Sequence, residues 1–303
     1  MIITIEGPTA AGKTAISIAI AQALDTRIIN CDSRQIYRFM DIGTAKPDPA
    51  QQKQVTHHLI DIISPKESFN AGFWVKAADE LIQDMHSHAK IPVICGGTGL
   101  WIRSLLEGLF SHPPIDPSIR SALKLELSQK GLAALYLKLC EIDPAFAARI
   151  SPNDSQRILR GLEIYRATQK SLSEHWAEQS REPRYDAFRI LICPDRKNLY
   201  EKINQRLDEM LSLGLLDEIK SLIDAGYSWD DPGLNSLGYK EFRAYFESHD
   251  SLDNAIELAK QHHRNYAKRQ ITWYRKQRFD LTLDADSFSL SDVLTVINAR
   301  KLR

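Results

Sequence analysis

Eight residues near the N-terminus, Gly7-Pro8-Thr9-Ala10-Ala11-Gly12-Lys13-Thr14, have the types and spacing that hold a diphosphate. They fit G-x-x-x-x-G-K-[ST] between an apolar run, residues 2–5, and an alanine-rich helical stretch, residues 13–24. The glycines let the backbone curl round an anion. The loop amides and the helix N-terminus then point at it. Lys13 sets a cation against the phosphates, and the Thr14 hydroxyl stands where a magnesium ion is ligated. The motif does not say which diphosphate is held. An NTPase normally adds an acid at the end of a neighbouring apolar strand. Here the run 91–95 ends in Gly96-Gly97-Thr98, and the strand-end acid is Asp32, in a different setting. Plain ATP hydrolysis is disfavoured on that ground.

These residues need a scaffold that brings strand ends together. Short apolar runs at 2–5, 27–31, 91–95 and 189–193 alternate with helical patterns at 13–24 and 71–88. That alternation predicts an α/β protein with a P-loop NTPase-like parallel sheet covered by helices. Ligands of such sheets bind beyond the carboxyl ends of the strands. Here those ends carry the glycine-rich loop, Asp32, Thr98 and Arg196, the last a weaker candidate.

Residues 113–184 interrupt the pattern with helical segments at 118–130, 132–142 and 154–168 and no strand-like run. They are read as an all-helical insertion, with residues 1–112 and 185–303 forming the core. After the fourth run the chain is helical over 199–213, 216–225, 254–276 and 290–300, with a short strand near 280–283.

A hydrophobic content of 43% with 26% charged residues excludes a disordered chain, and no apolar stretch is long enough to span a bilayer. A cytoplasmic protein without a membrane partner is expected. The four cysteines lie far apart with no CxxC pair, which argues for reduced thiols. The doublets His57-His58 and His262-His263 lack acid or Cys partners at metal-ligand spacing. From Lys260 to Arg278 seven basic residues occur with no Asp or Glu among them, interleaved with Tyr266, Trp273 and Tyr274. Such a block is either an anion-binding face or a solvated helix surface.

The order GPTAAGKT, DSRQIYR…DIGTAKP, GGTGLW, NDSQRILRGLEIY, LGYKE and RQITWYR closely resembles the tRNA dimethylallyltransferase (tRNA isopentenyltransferase) family, from Met1 to about Arg278. Ala11 stands where the family usually has serine, and Trp101 where tyrosine often follows GGTGL. Neither change removes a cation, a base or a loop amide. With no zinc-finger extension, the resemblance is to the bacterial type.

The resemblance implies that the loop holds dimethylallyl diphosphate, with Mg²⁺ at Thr14. The exocyclic N6 amine of adenosine 37 attacks the allylic carbon and pyrophosphate leaves. A weakly nucleophilic amine needs a carboxylate to take its proton, and Asp32 is the candidate. Leaving pyrophosphate gathers charge, so Lys13 and, by family position, Arg206 stabilise it. Thr98 contacts the leaving group or the target nucleotide by family position. The target would be unstacked from the anticodon loop. Asp32, Ser33, Arg34 and Gln35 would contact it and its neighbours, with Gln35 suited to an adenine edge. In the insertion, Arg120 and Gln156-Arg157-Ile158-Leu159-Arg160 would hold the tRNA anticodon stem-loop, and a monomer is expected.

Simpler roles stand beside these. Asp32 also fits a helix N-cap before residues 33–37. Arg206 fits a surface helix position, and Thr98 a glycine-rich turn. Among functions, an enzyme prenylating free AMP would not need the insertion or the basic C-terminal helix. A P-loop kinase or ATPase acting on RNA would want the missing strand-end acid. An RNA-binding switch that only senses nucleotide would not need Asp32.

Overall fold

The computed structural model describes residues 1–110, 114–179 and 182–301. Residues 112, 113 and 303, which bound segments of the sequence reading, lie outside them. The chain divides into two compact units, Met1–Leu106 with Pro183–Arg303, and Glu107–Glu182. The sequence pattern puts the second unit at 113–184.

The first unit is built on six parallel strands: β1 (Ile2–Glu6), β2 (Ile28–Asn30), β3 (His57–His58), β4 (Val93–Gly96), β5 (Ala187–Ile192) and β6 (Leu281–Leu283). Their spatial order is β3-β2-β4-β1-β5-β6. β1 is central and buried along its whole length, with Ile3 opposite Val93 on one side and Phe188 on the other. A strand covered on both faces has no place for alternating polar residues, which is why it reads as an apolar run. Successive side chains point to opposite faces. Ile2, Ile29 and Ile94 therefore join one core, with Trp74, Trp101 and Leu207 from covering helices. Ile3, Ile5, Ile28 and Val93 join the other, with Ile16, Ile20 and Ile297.

The polar residues on β1 are Thr4 and Glu6, the latter fully buried immediately before the loop. Arg189 on β5 meets it with two hydrogen bonds, at 2.8 and 2.9 Å, and the Thr4 hydroxyl donates to it at 2.9 Å. A buried carboxylate without such partners would be strongly destabilising.

The runs at 2–5, 27–31, 91–95, 189–193 and 280–283 all appear as strands, with ends moved by one or two residues. β3 was not expected: two histidines carry no periodic signal. Residues 33–37 do not continue as a helix; they form turns, with Tyr37 bridging to Ile63.

Among its described residues, the Glu107–Glu182 unit consists of helices and their connections, without a strand. Its helices are Pro117–Ile142, Pro144–Ala147, Ser155–Thr168 and Leu172–Glu178. The first bends at Gly131, whose φ of 76° breaks helical geometry where the sequence suggests two helices. Leu123, Leu135, Leu139, Phe146, Ile158 and Leu162 form its core. Asp143 ties two helix starts, accepting N–H groups from Phe146 at 3.0 Å and Ser173 at 2.9 Å. No helix among the described residues is long and apolar enough to cross a membrane.

Candidate active site

β1 and the helix Lys13–Ala23 hold the glycine-rich loop between them. Gly7 admits no side chain, because a Cβ there would lie 2.3 Å from the Ile192 carbonyl oxygen. Gly12 caps the helix in the left-handed region, φ 87°. Lys13 folds back over the loop, its ammonium donating to the Pro8 carbonyl at 2.7 Å.

The loop borders a cavity of about 680 Å³ at the carboxyl ends of the strands. Residues Thr9 to Thr14 line it, together with Asp32, Ser33, Arg34, Gln35 and Arg206. The sheet thus gathers residues that are up to about two hundred positions apart in the chain. Arg206 sits on the helix Arg196–Ser212, whose buried face is Leu199, Ile203, Leu207 and Met210. That periodicity anchors the helix and leaves Arg206 half-buried beside the cavity rather than on the outer surface.

The electrostatics of the cavity suit an anion. Burial lowers the pKa of the Lys13 ammonium, against the pull of Cys95 and Asp32. Burial likewise lowers that of Arg206, with Asp32 opposing. Among the described residues neither cation makes an ion pair within 4.0 Å. Two partly desolvated cations without a bonded counter-charge are poised to bind a diphosphate. The Tyr266 hydroxyl, also on the wall, is pushed up to about 12 by burial and by Asp32.

Asp32 holds the turn that follows it, its Oδ1 accepting the Arg34 N–H at 2.8 Å. The capping role expected of it is thus real, but it caps a turn and not a helix. Thr98 takes the turn role weighed for it. Its hydroxyl accepts the Ser33 N–H at 3.0 Å, its own N–H donates to the Cys31 carbonyl at 3.2 Å, and it is not among the residues lining the cavity. Thr98 pins the end of β2 and thereby places Asp32. Gln35 donates its amide nitrogen to the Thr44 and Ala45 carbonyls, at 3.3 and 2.8 Å. A two-bond reading of adenine, which needs one N–H and the amide oxygen, would have to release at least one of them.

The DIGTAKP stretch is organised by Glu218, which accepts N–H groups from Asp41, Ile42 and Gly43 and the Tyr239 hydroxyl proton. Lys46 pairs with Asp41 and Asp61. Gly43 and Thr44 thereby reach the cavity wall.

Residues of the Glu107–Glu182 unit divide by exposure. Arg120, Gln156, Arg157 and Arg160 are exposed, with Arg157 paired to Asp154 and Arg160 to Glu163, each at 2.7 Å. Ile158 is wholly buried in the unit's core, and Leu159 packs against it. Ile158 is therefore a packing residue and not a surface contact; its spacing to Leu162 on the same helix face is the signal that marks it.

The basic block also divides. Lys260 pairs with Asp208 at 2.8 Å, and Arg264 donates to Asn204 at 2.6 Å. Arg269 lies over the Tyr266 ring, 5.7 Å from its centre. Lys268, Arg275, Lys276 and Arg278 are exposed. The same helix, Leu252–Tyr274, sends His263, Tyr266, Arg269 and Gln270 to the cavity wall. Tyr266 and Arg269 belong to the block read as a candidate anion-binding face and His263 to a histidine doublet; Gln270 carried no signal of its own, since its cavity neighbours are remote in the chain. Arg196 instead binds the Tyr200 hydroxyl at 3.1 Å, away from the cavity. In the histidine doublets, His57 Nδ1 meets the Val55 carbonyl, His262 meets Glu241 and His263 meets the Ala259 carbonyl, each at 2.8 Å, while Nε2 of His57 and of His58 is buried without a hydrogen-bond partner among the described residues.

Comparison with known proteins gives a consistent picture. The family model described as IPP transferase matches residues 35–277. A tRNA dimethylallyltransferase of Roseiflexus sp. (strain RS-1) is 44% identical over 298 residues, covering 98% of this chain and 97% of the relative. One from Thermotoga maritima is 43% identical over 272 residues, covering 90% and 88%. Among solved structures, a tRNA isopentenylpyrophosphate transferase of Bacillus halodurans matches with TM-score 0.72 and 35% identity, covering 98% of this chain and 95% of that one. A eukaryotic dimethylallyltransferase acting on tRNA matches with TM-score 0.85 and 26% identity, covering 98% and 78%.

Proposed function

The chain belongs to the IPP transferase family, and from that membership and the cavity's geometry we propose that it transfers a dimethylallyl group from dimethylallyl diphosphate to the N6 amine of adenosine 37 in tRNA. The observation that carries the reading is the convergence, in one cavity, of a diphosphate-binding loop, the cations Lys13 and Arg206, which make no ion pair among the described residues, and the Asp32 carboxylate, with Glu209 also on the wall. The neighbouring strand β4 ends in glycines and not in an acid.

In this reading the diphosphate lies against the loop amides, Lys13 and Arg206. The amine lone pair attacks the allylic carbon as its bond to the diphosphate oxygen breaks. The bonding pair departs with pyrophosphate, and Lys13 and Arg206 stabilise the charge that builds there. The amine's surplus proton passes to Asp32. Oδ1 of Asp32 is occupied by the Arg34 N–H, so Oδ2 takes the proton. Thr98 holds the Ser33 backbone beside that carboxylate, and its hydroxyl keeps a proton to donate.

A divalent cation fits the donor set here. The Thr14 hydroxyl lines the cavity and would hold Mg²⁺, an ion that takes oxygen ligands, beside the diphosphate. When bound, it would neutralise part of the pyrophosphate charge. The exposed Arg120, Gln156, Arg157 and Arg160 are suited to the backbone of an anticodon stem-loop. The protein would act as a monomer in the cytoplasm.

The test is mass spectrometry of nucleosides from total tRNA of a strain lacking the gene. Loss of the prenylated adenosine, restored by the wild-type gene, is expected. An unchanged nucleoside profile would refute the assignment.

A further inference from the structure

Gln270 is almost fully buried in the helix Leu252–Tyr274, 7% exposed. Its Oε1 accepts the Thr9 N–H at 2.9 Å, and its Nε2 donates to the Gly97 carbonyl at 2.9 Å. One side-chain amide thus spans two backbones, the glycine-rich loop after β1 and the glycine turn after β4. Its orientation is fixed, since a flip would set donor against donor and acceptor against acceptor. The clamp sits close to the charged centre. A Cβ on Gly97 would lie 2.7 Å from Gln270 Nε2, 3.4 Å from the Gly7 carbonyl oxygen and 3.8 Å from Lys13 Nζ.

We propose that Gln270 is a positioning residue for the diphosphate: by holding the Thr9 amide to the end of β4, it sets the loop in its anion-binding shape and assigns the Thr9 N–H to the protein and not to the ligand. The inference rests on the prenyl-transfer reading for its substrate, but the clamp is a property of the loop itself. Gln270 touches neither reacting atom. Its loss acts through the loop amides, so it weakens diphosphate binding more than it slows the chemical step. A glutamate at this position keeps the shape and the acceptor for Thr9. It sets a carboxylate oxygen against the Gly97 carbonyl and adds negative charge beside the diphosphate site. A methionine keeps the volume and leaves both backbone groups unpaired.

The experiment measures inorganic pyrophosphate binding by calorimetry, and KM and kcat with dimethylallyl diphosphate at saturating tRNA, for the wild-type protein and for Gln270→Glu and Gln270→Met. Expected are pyrophosphate Kd and KM raised about tenfold or more in both variants, more in Gln270→Glu, with kcat less affected. Hydrogen exchange on the wild-type protein supplies a readout that needs no variant to fold. The Thr9 amide should exchange at least about tenfold more slowly than the Ala10 amide, because a buried acceptor holds it. Variants with wild-type Kd and KM, a fall in kcat alone, or a Thr9 amide that exchanges as fast as that of Ala10 would each overturn the proposal. A wild-type protein that binds pyrophosphate but transfers no prenyl group would refute the function and leave the clamp standing.

Discussion

One oxygen of the Asp32 carboxylate is spent on a turn, so removing the side chain confounds two effects. Asp32→Asn separates them, because asparagine keeps an acceptor for the Arg34 N–H and loses the basicity. The single-turnover rate of Asp32→Asn should fall about 10²–10⁴-fold, with tRNA affinity within a few-fold of wild type. A wild-type single-turnover rate would remove Asp32 from proton transfer. Arg206 tests the leaving-group side. Half-buried and without an ion-pair partner among the described residues, it is available to the pyrophosphate charge. Arg206→Ala should cost about 3–4 kcal/mol of transition-state stabilisation, the scale of one preorganised donor. Turnover unchanged at saturating dimethylallyl diphosphate would show that the helix does not serve the reaction. The charged residues were legible in the sequence because their chemistry is local in kind. What each one touches was not. Thr98 looked like a ligand contact and is bonded to Ser33. Gln270 looked like one residue of a basic helix, yet its partner Thr9 lies 261 positions away.

At the scale of elements, most strand and helix patterns with a buried face were readable, though the helix Gly99–Glu107, which buries Trp101, Ile102, Leu105 and Leu106, was not read. β1, β2, β4 and β5 are apolar because both faces of the sheet are covered, and the helix Arg196–Ser212 shows its core face at regular spacing. β3 was not readable, because two residues carry no period. The short helices Pro49–Gln54 and Leu172–Glu178 escaped for a similar reason, though their capping boxes, Asp48 with Gln51 and Ser171 with Glu174, were written in the sequence. In the Glu107–Glu182 unit, Glu126 joins separate helices. It is hydrogen-bonded to Arg166 and Lys130, with Lys138 3.6 Å away. The Arg166 bond, then that of Lys130, lowers its pKa from 4.5 to about 2. A carboxylate held lower in the folded state stabilises that state fully above its unfolded value, and the contribution is lost as pH falls through the folded value. Glu126→Gln should therefore lower the melting temperature at pH 7, and the gap to wild type should narrow from about pH 4.5 down to about pH 2. A gap independent of pH across that window would mean that Glu126 acts by packing and not by charge.

At the scale of the molecule, the sheet supports the proposed reading of the diphosphate as a substrate and not a fuel. A loop of NTPase type is followed on β4 by glycines, and the carboxylate that shares its cavity leads the 32–35 turn, whose residues line the same wall. That arrangement serves proton removal from an attacking amine better than metal-assisted attack of water on a γ-phosphate. ATP, which offers phosphates without an allylic carbon, should bind as a weak competitor of the prenyl diphosphate. The direct measurement is phosphate and pyrophosphate release by the purified protein, with dimethylallyl diphosphate, ATP and an adenosine-bearing anticodon stem-loop each omitted in turn. Pyrophosphate should appear only when both dimethylallyl diphosphate and the stem-loop are present, matched by prenylated adenosine, with little orthophosphate from ATP in any combination. Orthophosphate release from ATP stimulated by the stem-loop, without prenyl transfer, would contradict the account.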